Sequence, residues 1–493
     1  MRKNLLQYSI WAICFLIIIF ISRILPGITF VNFERDQARD AFVWENMKSG
    51  DMQTLGPIAG GYDYYLPPLY YYIVYPFTLF SNNPVNQTLP ALIFSALDIV
   101  LTGWLVYLLF PEFKNRKLRL VISAAASFWV AVSTYNIVIG NVPWNSNLVP
   151  YFVTAYFLIT HFINTTHLQG WKLYSLWAIY AAINAILVSL HSTTMFIIPI
   201  ISILNISVFV YYHGLRKAIL PITLSVILFA LFMTPYLIGE FGRNFENSGL
   251  VFESVFNNSS KGNWIDMFSR LVATYEFLWQ RIVSLGNFPL ISLIFSIIVT
   301  LFGFRINRNI TRSLIFITFI IFLLASTGYS GELHYRYLAV IYLAPIILVI
   351  NSIVTLQQYS YKKIFVMLIL ICVIGIVGIN ISYSRNYIVR KSQLINSNDL
   401  IEAAKIIPDN ANICWQYFEV MKLDTQPFEY IDKYILNKSH RFVQDCTTEQ
   451  TYTIIPTFVP VANKDFTAVA NEYKLENSKV VYQGERYRIV LLD

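Results

Sequence analysis

Five ionisable side chains fall within seven residues at Glu34-Arg35-Asp36-Gln37-Ala38-Arg39-Asp40, in a 493-residue chain of which only 13% is charged. The string follows directly on an apolar run from Leu5 to Leu25. Ionised groups are costly to desolvate at a bilayer boundary, so such a cluster has partners, a ligand or a reaction to serve. In a helix from Asp36 to Ser49, Asp36 and Asp40 project from one face at i and i+4, with Arg35 and Arg39 on a neighbouring face. A carboxylate so placed can take the proton of a sugar or protein hydroxyl, while the arginines hold phosphate oxygens or keep the carboxylate ionised. Spacing alone suits a solvated interfacial helix laced by i,i+4 charges equally well.

Other polar side chains stand where apolar runs end. Tyr62, Tyr64 and Tyr65 lead into Leu66-Pro67-Pro68-Leu69-Tyr70-Tyr71-Tyr72, whose tyrosines suit either stacking on sugar rings or the interfacial aromatic belt. Asn145 lies in Asn141-Val142-Pro143-Trp144-Asn145-Ser146-Asn147, and His191 precedes Ser192, Thr193 and Thr194. Amides and imidazoles there can line a cavity for hydroxyls or phosphate, or serve as helix caps. Arg336, beside His334 and Tyr337, can bind a lipid phosphate by charge-assisted hydrogen bonds or snorkel to the interface.

These groups must be positioned by membrane helices. With 56% hydrophobic residues and a mean hydropathy of +0.54, the chain reads as a polytopic α-helical membrane protein. Apolar runs predict eleven crossings, at about 5–25, 89–110, 120–140, 148–164, 172–191, 194–212, 218–238, 289–304, 313–327, 337–356 and 364–383. The first run is too long for a signal-peptide core and is read as a retained helix. Prolines at 67, 68 and 76 argue against a crossing there, so 67–80 is expected to be half-inserted.

Lys and Arg gather in alternate loops, at Lys114, Arg116, Lys117, Arg119, Arg216, Lys217, Arg305, Arg308, Lys362 and Lys363, which predicts a cytoplasmic N-terminus. The net charge of +8 then reflects topology, since residues after 384 are nearly neutral, and no nucleic-acid partner is implied. The expected organisation is a membrane domain, 1–384, with outer loops 26–88 and 239–288, and an extracytoplasmic α/β domain, 385–493. In that domain Val480-Val481-Tyr482 and Tyr487 to Val490 suggest a hairpin turning at Gly484-Glu485. Cys414 and Cys446 could pair there, while Cys14 and Cys372 fall in spans. Trp264, Met267, Phe268, Leu271, Tyr275, Leu278, Trp279 and Ile282 predict an amphipathic helix, for the headgroup layer or for packing on the bundle. Asp98, alone within a span, is expected to hydrogen-bond between helices.

The layout of residues 1–360 resembles the GT-C membrane glycosyltransferases, especially the protein O-mannosyltransferases and bacterial lipid A aminoarabinose transferases. The resemblance rests on Asp36 in the first outer loop, Pro67-Pro68-Leu69 after it, and Glu332-Leu333-His334-Tyr335-Arg336-Tyr337-Leu338 with Pro345. Gln37 stands where those families carry a second acid, leaving Asp40 or Glu34 as alternatives, and Leu66 stands where a Lys or His is usual.

The resemblance implies transfer of a sugar from a polyprenyl-phosphate donor to a glycan, lipid or protein hydroxyl at the outer membrane face, in a bacterial plasma membrane. Asp36 is then the general base, with Asp40 the second catalytic candidate. The expected binding set is Glu34, Arg39, Pro67, Pro68, Tyr70, Asn145, His191, His334, Arg336 and Tyr337. No cofactor is expected, although loop carboxylates could bind a divalent cation. A flippase of lipid-linked sugars is the competing class. Its mark would be polar groups at the bilayer midplane, where this sequence has only Asp98. A polysaccharide polymerase shares the outward-facing, lipid-linked chemistry.

Overall fold

A computed structural model describes residues 16–29, 31–59, 64–166, 168–257, 264–283, 289–304, 309–329, 333–356, 362–389, 397–414, 425–443, 451–456, 478–483 and 487–492. Among them, six helices are long and apolar enough to cross a membrane: Pro84–Leu109, Asn145–Thr165, Trp171–Leu190, Ser192–His213, Leu215–Phe232 and Ile310–Thr327. Two bent pairs, Arg116–Val132 with Thr134–Gly140 and Tyr335–Ile341 with Leu343–Leu356, at breaks of 59° and 49°, bring the number to eight if each pair is one span rather than a re-entrant loop. Shorter apolar helices, Leu16–Thr29, Leu290–Gly303 and Val373–Ser384, fall on the remaining segments expected from hydropathy. The Leu69–Thr78 helix carries Pro76 and is too short to cross, as the prolines of that stretch require.

Local chemistry explains where the helices begin. Asn83 accepts from the Val85 amide at 2.9 Å ahead of Pro84, and Asn115 caps Lys117 at 2.9 Å. Several polar groups in the bundle interior are joined to one another across helices. Asp98 accepts from the Thr154 and Tyr342 hydroxyls, each at 2.6 Å, so it links three helices as expected of a lone buried acid. Near the opposite end of the bundle from the charged string, the buried Arg312 pairs with Glu112 and donates to Asn351 at 3.1 Å.

The amphipathic helix, Trp264–Ile282, packs on the bundle by its C-terminal half. Trp264, Ile265, Met267 and Phe268 are exposed, whereas Leu278, Trp279 and Ile282 are buried in the bundle core.

The C-terminal part contains a five-stranded sheet in the order β2-β1-β3-β5-β4, with β1 Asn412–Cys414, β2 Arg441–Val443, β3 Thr451–Pro456, β4 Ser478–Gln483 and β5 Tyr487–Leu492. The β1 strand pairs in parallel with β2 and β3, and β5 runs antiparallel to both β3 and β4. The expected β4–β5 hairpin forms, while its turn residues Gly484 and Glu485 lie outside the described set. Cys414 is disulfide-bonded, and Cys446 is also outside the described residues. Leu400, Ile401, Ile407, Ile413, Phe428 and Ile431 share one core with Phe33, Ala38 and Ala41 of the first long loop.

Arg23 fixes the sharper of the two bends. Fully buried, it donates to Val130 O at 2.7 Å and Ala131 O at 3.1 Å, the carbonyls left open where Arg116–Val132 ends. Replacing it with an isosteric apolar side chain strands those carbonyls at about 1–3 kcal/mol. Arg23→Met should therefore lower the midpoint of thermal unfolding in detergent, and an unchanged midpoint would contradict this role.

Candidate active site

The charged string forms the start of the Arg35–Lys48 helix, capped by Gln37, whose side chain accepts from the Glu34 amide at 3.1 Å. Gln37 is buried in that cap, so the residue standing in place of a second acid does structural work here. The helix is wedged between three surfaces and divides its residues among them. Ala38 and Ala41 enter the C-terminal core, Trp44 and Met47 enter the bundle core, and Asp36, Arg39 and Val43 face open space.

That division separates the two aspartates. Asp40 is fully buried, and its Oδ1 accepts from Arg39 Nε at 3.0 Å, Arg39 Nη2 at 2.8 Å and the Tyr71 hydroxyl at 3.0 Å. Burial pushes its carboxyl up to about 6 against the pull of Arg39 and Tyr71, so it remains ionised at neutral pH. Among the described residues Asp36 accepts only from Arg39 Nη1, at 3.1 Å, and it keeps 39% of its side chain accessible. Burial works against the Arg39 charge, but Asp40, Tyr71 and Asp36 together hold it firmly protonated.

Asp36 and Arg39 open onto a polar cavity of about 240 Å³ whose wall includes Asn145, His191, His334, Arg336 and Tyr337. Residues from four separate sequence regions thus meet as the motifs suggested. Asp40, Glu34, Pro67, Pro68 and Tyr70 do not line it. Glu34 starts the helix, and its carboxyl is pushed up by burial, pulled down by Arg336 and pushed up by Asp36, with a net rise. Tyr70 is buried against Trp44, with ring centroids 5.9 Å apart.

Pro67 and Pro68 act through the backbone instead. Residues 56–59 pair with 64–66, Gly56 N donating to Leu66 O at 2.7 Å and Ala59 N to Tyr64 O at 2.9 Å. A Cβ at Gly56 would lie 2.3 Å from Pro67 O, so only glycine permits this approach, which folds Ile58, Ala59 and Leu66 over the cavity.

The other side chains are also held. Asn145 donates to Leu190 O at 2.6 Å, tying its loop to the residue before His191. His191 Nδ1 accepts from the Thr193 amide at 3.2 Å, which leaves Nε2 to carry the ring proton. Its ring packs edge-on against Tyr337 at 5.1 Å. Arg336 lies over the Trp144 ring, and its buried Nε has no hydrogen-bond partner among the described residues. Trp144, Ser146 and Ser192 also line the cavity. Their sequence signal was adjacency to Asn145 and His191, which does not tell a wall residue from a neighbour.

Two further cavities adjoin this one. A mainly apolar cleft of about 350 Å³, walled by Phe196, Ile197, Phe322, Ala325 and Leu333, shares Ser192 and Tyr337 with it. A wider polar one, of about 820 Å³, shares Asp36 and Arg39 and extends past Arg35, Gln53, Tyr65, Arg243 and Gln426. Asp36 therefore lines two cavities, the inner of which shares two wall residues with an apolar groove. Among the described residues, no three His, Cys, Asp or Glu side chains gather closely enough to hold a metal ion.

Burial, with Arg336 and His334 close by, lowers His191 to about 3; burial, with Arg336 and Arg281, lowers His334 to about 4. Both rings are thus neutral hydrogen-bonding groups at working pH. Their folded-state values lie below the unfolded value of 6.5, so the stability they contribute is complete above that pH and is lost as pH falls toward 4 and 3. His191→Gln should therefore show a shallower loss of thermal stability than the wild type between pH 6.5 and 4. Parallel losses would contradict the burial of a neutral ring.

No protein-family profile and no curated protein matches the sequence. Among solved structures, the chain is similar to ArnT from Cupriavidus metallidurans bound to undecaprenyl phosphate, with a TM-score of 0.55, 10% identity, and coverage of 97% of this chain and 97% of that one. It is similar also to ArnT from Cupriavidus metallidurans in the apo state, with a TM-score of 0.52, 12% identity, and coverage of 98% of both chains. The likeness covers nearly the whole chain and shows that it has the GT-C fold of membrane glycosyltransferases.

Proposed function

We propose that the protein is a membrane glycosyltransferase that moves a sugar from a polyprenyl-phosphate donor to an acceptor hydroxyl, at the extracytoplasmic face of a bacterial plasma membrane. The observation that carries this reading is the adjacency of an apolar groove and a polar cavity lined by Arg336 and Asp36, with Ser192 and Tyr337 in the walls of both. A lipid-linked sugar needs both environments side by side: hydrocarbon walls for the prenyl chain, and cationic or hydrogen-bonding groups for the phosphate and sugar. Shared architecture with ArnT solved bound to undecaprenyl phosphate supports the same assignment. The clustering of basic residues in alternate loops supports an outward-facing site.

In this reading Asp36 takes the proton of the acceptor hydroxyl, whose oxygen attacks the anomeric carbon from the side opposite the phosphate. The bond from that carbon to the phosphate oxygen breaks, the polyprenyl phosphate leaves with the electron pair, and the anomeric centre inverts. Arg336, over the Trp144 ring and with an Nε that has no partner among the described residues, offers charge-assisted hydrogen bonds to the departing phosphate. The neutral His191 offers its Nε2–H alongside. Arg39 keeps Asp36 oriented, and Asp40, buried beneath it, anchors Arg39. A phosphate is a good leaving group without protonation, so one carboxylate suffices for the chemistry.

Purified protein incubated with labelled polyprenyl monophosphate sugars tests this. Asp36→Asn should reduce transfer by about 10²–10⁴-fold with donor binding retained, and Arg336→Ala by about 10²–10³-fold. Asp40→Asn should act indirectly, through a lower unfolding temperature as well as a lower rate. Full transfer by a folded Asp36→Asn variant would exclude the mechanism, and movement of intact donor lipid across vesicles without sugar transfer would replace it with transport.

A further inference from the structure

We infer that the C-terminal domain is part of the acceptor side of the reaction, building one wall of the outer polar cavity through Gln426 and holding the Arg35–Lys48 helix through Tyr430. The inference rests on the glycosyltransferase reading and deepens it. Asp36 lines both the inner and the outer cavity, and the inner one shares Ser192 and Tyr337 with the apolar groove. With the donor in the inner cavity, an acceptor must reach Asp36 from the outer one. The outer cavity is walled by groups suited to a hydroxyl-rich ligand, namely Gln53, Gln426, Arg35 and Arg243, with the Tyr65 ring exposed beside them. A glycan fits this chemistry.

Gln426 is the C-terminal domain's residue in that wall, at the start of the Gln426–Tyr430 helix. Four residues on, the Tyr430 hydroxyl lies 3.1 Å from Glu45 Oε1 and 3.0 Å from Asn82 O, able to donate to either. Glu45 also accepts from Lys48 at 2.6 Å, and Lys48 donates to Asn82 Oδ1 at 2.7 Å. Asn82 in turn donates to Tyr434 O at 3.2 Å. The Tyr430 ring packs against Phe33 at 5.5 Å and Phe42 at 5.4 Å, on the helix carrying Asp36 and just before it. One short helix thus presents a wall residue to the acceptor cavity and fastens the helix that bears the base. Tyr430 touches no reacting atom in this scheme and is a positioning residue.

Two assays on the full-length chain separate this from the parent reading. In the first, purified enzyme releases free sugar from a labelled polyprenyl monophosphate donor, with water as acceptor. In the second, the same donor labels the acceptors in envelope membranes from source cells lacking the chromosomal copy. Gln426→Ala should leave hydrolysis and the donor KM unchanged while reducing membrane labelling by about fivefold, the loss expected of one hydrogen bond. Tyr430→Phe, which keeps the ring, should lower kcat in both assays by a similar factor with donor KM unchanged and the melting temperature nearly so. Unchanged labelling by Gln426→Ala, or a parallel fall in its hydrolysis, would overturn the acceptor-side role; a raised donor KM in Tyr430→Phe would overturn the positioning role. A wild type inactive in both assays, or an active Asp36→Asn, would instead overturn the glycosyltransferase reading on which both depend.

Discussion

Arg39 shares one guanidinium between two carboxylates of its own helix, and the unequal division organises everything around it. Two of its nitrogens go to the buried Asp40 and one to Asp36, whose side chain stays accessible. The pair with Asp40 is the costlier to form, because that carboxylate must leave water, but hydrogen bonds from Arg39 and Tyr71 on one oxygen keep it intact. The Tyr71 hydroxyl, reaching Asp40 from the Leu69–Thr78 helix, fixes which face of the Arg35–Lys48 helix turns inward. The carboxylate that can reach a ligand is then the one left over.

A locked rotation lets a single short helix serve three neighbours. Its alanines pack into the C-terminal core, its Trp44 and Met47 into the membrane bundle, and its Asp36–Arg39–Val43 stripe borders the cavities. Motion of any neighbour would be transmitted to the carboxylate at the centre. The C-terminal part is accordingly fastened to that helix through a shared core.

Much of this was legible in the sequence, because hydropathy and charge act over short windows. Each apolar segment became a helix at about the expected place, and Asp36, Arg39, Asn145, His191, His334, Arg336 and Tyr337 met in one cavity. What failed to show was anything decided by tertiary partners. The i,i+4 spacing of Asp36 and Asp40 implied a common face, yet successive residues at that spacing differ by about 40° in azimuth. On a helix wedged between three surfaces, that is enough to bury one and expose the other. Pro67 and Pro68 read as part of a site but shape it only through the backbone fit at Gly56. The helix Trp264–Ile282 has one continuous apolar face in the sequence, and only packing decided that half of it would be covered. Nothing in residues 385–493 announced a core shared with Phe33, Ala38 and Ala41, since that core is closed by contacts over 350 positions apart.

The account's central claim is that the lipid phosphate sits opposite Asp36, against Arg336, with its prenyl chain leaving through the apolar groove. An experimental structure of the full-length protein with a bound polyprenyl monophosphate is the direct measurement. The account predicts phosphate density within hydrogen-bond distance of the Arg336 guanidinium, and a chain running between Phe196 and Phe322. Phosphate held at the Arg312–Glu112 end of the bundle, or a chain that bypasses the groove and leaves Arg336 without contact, would contradict it.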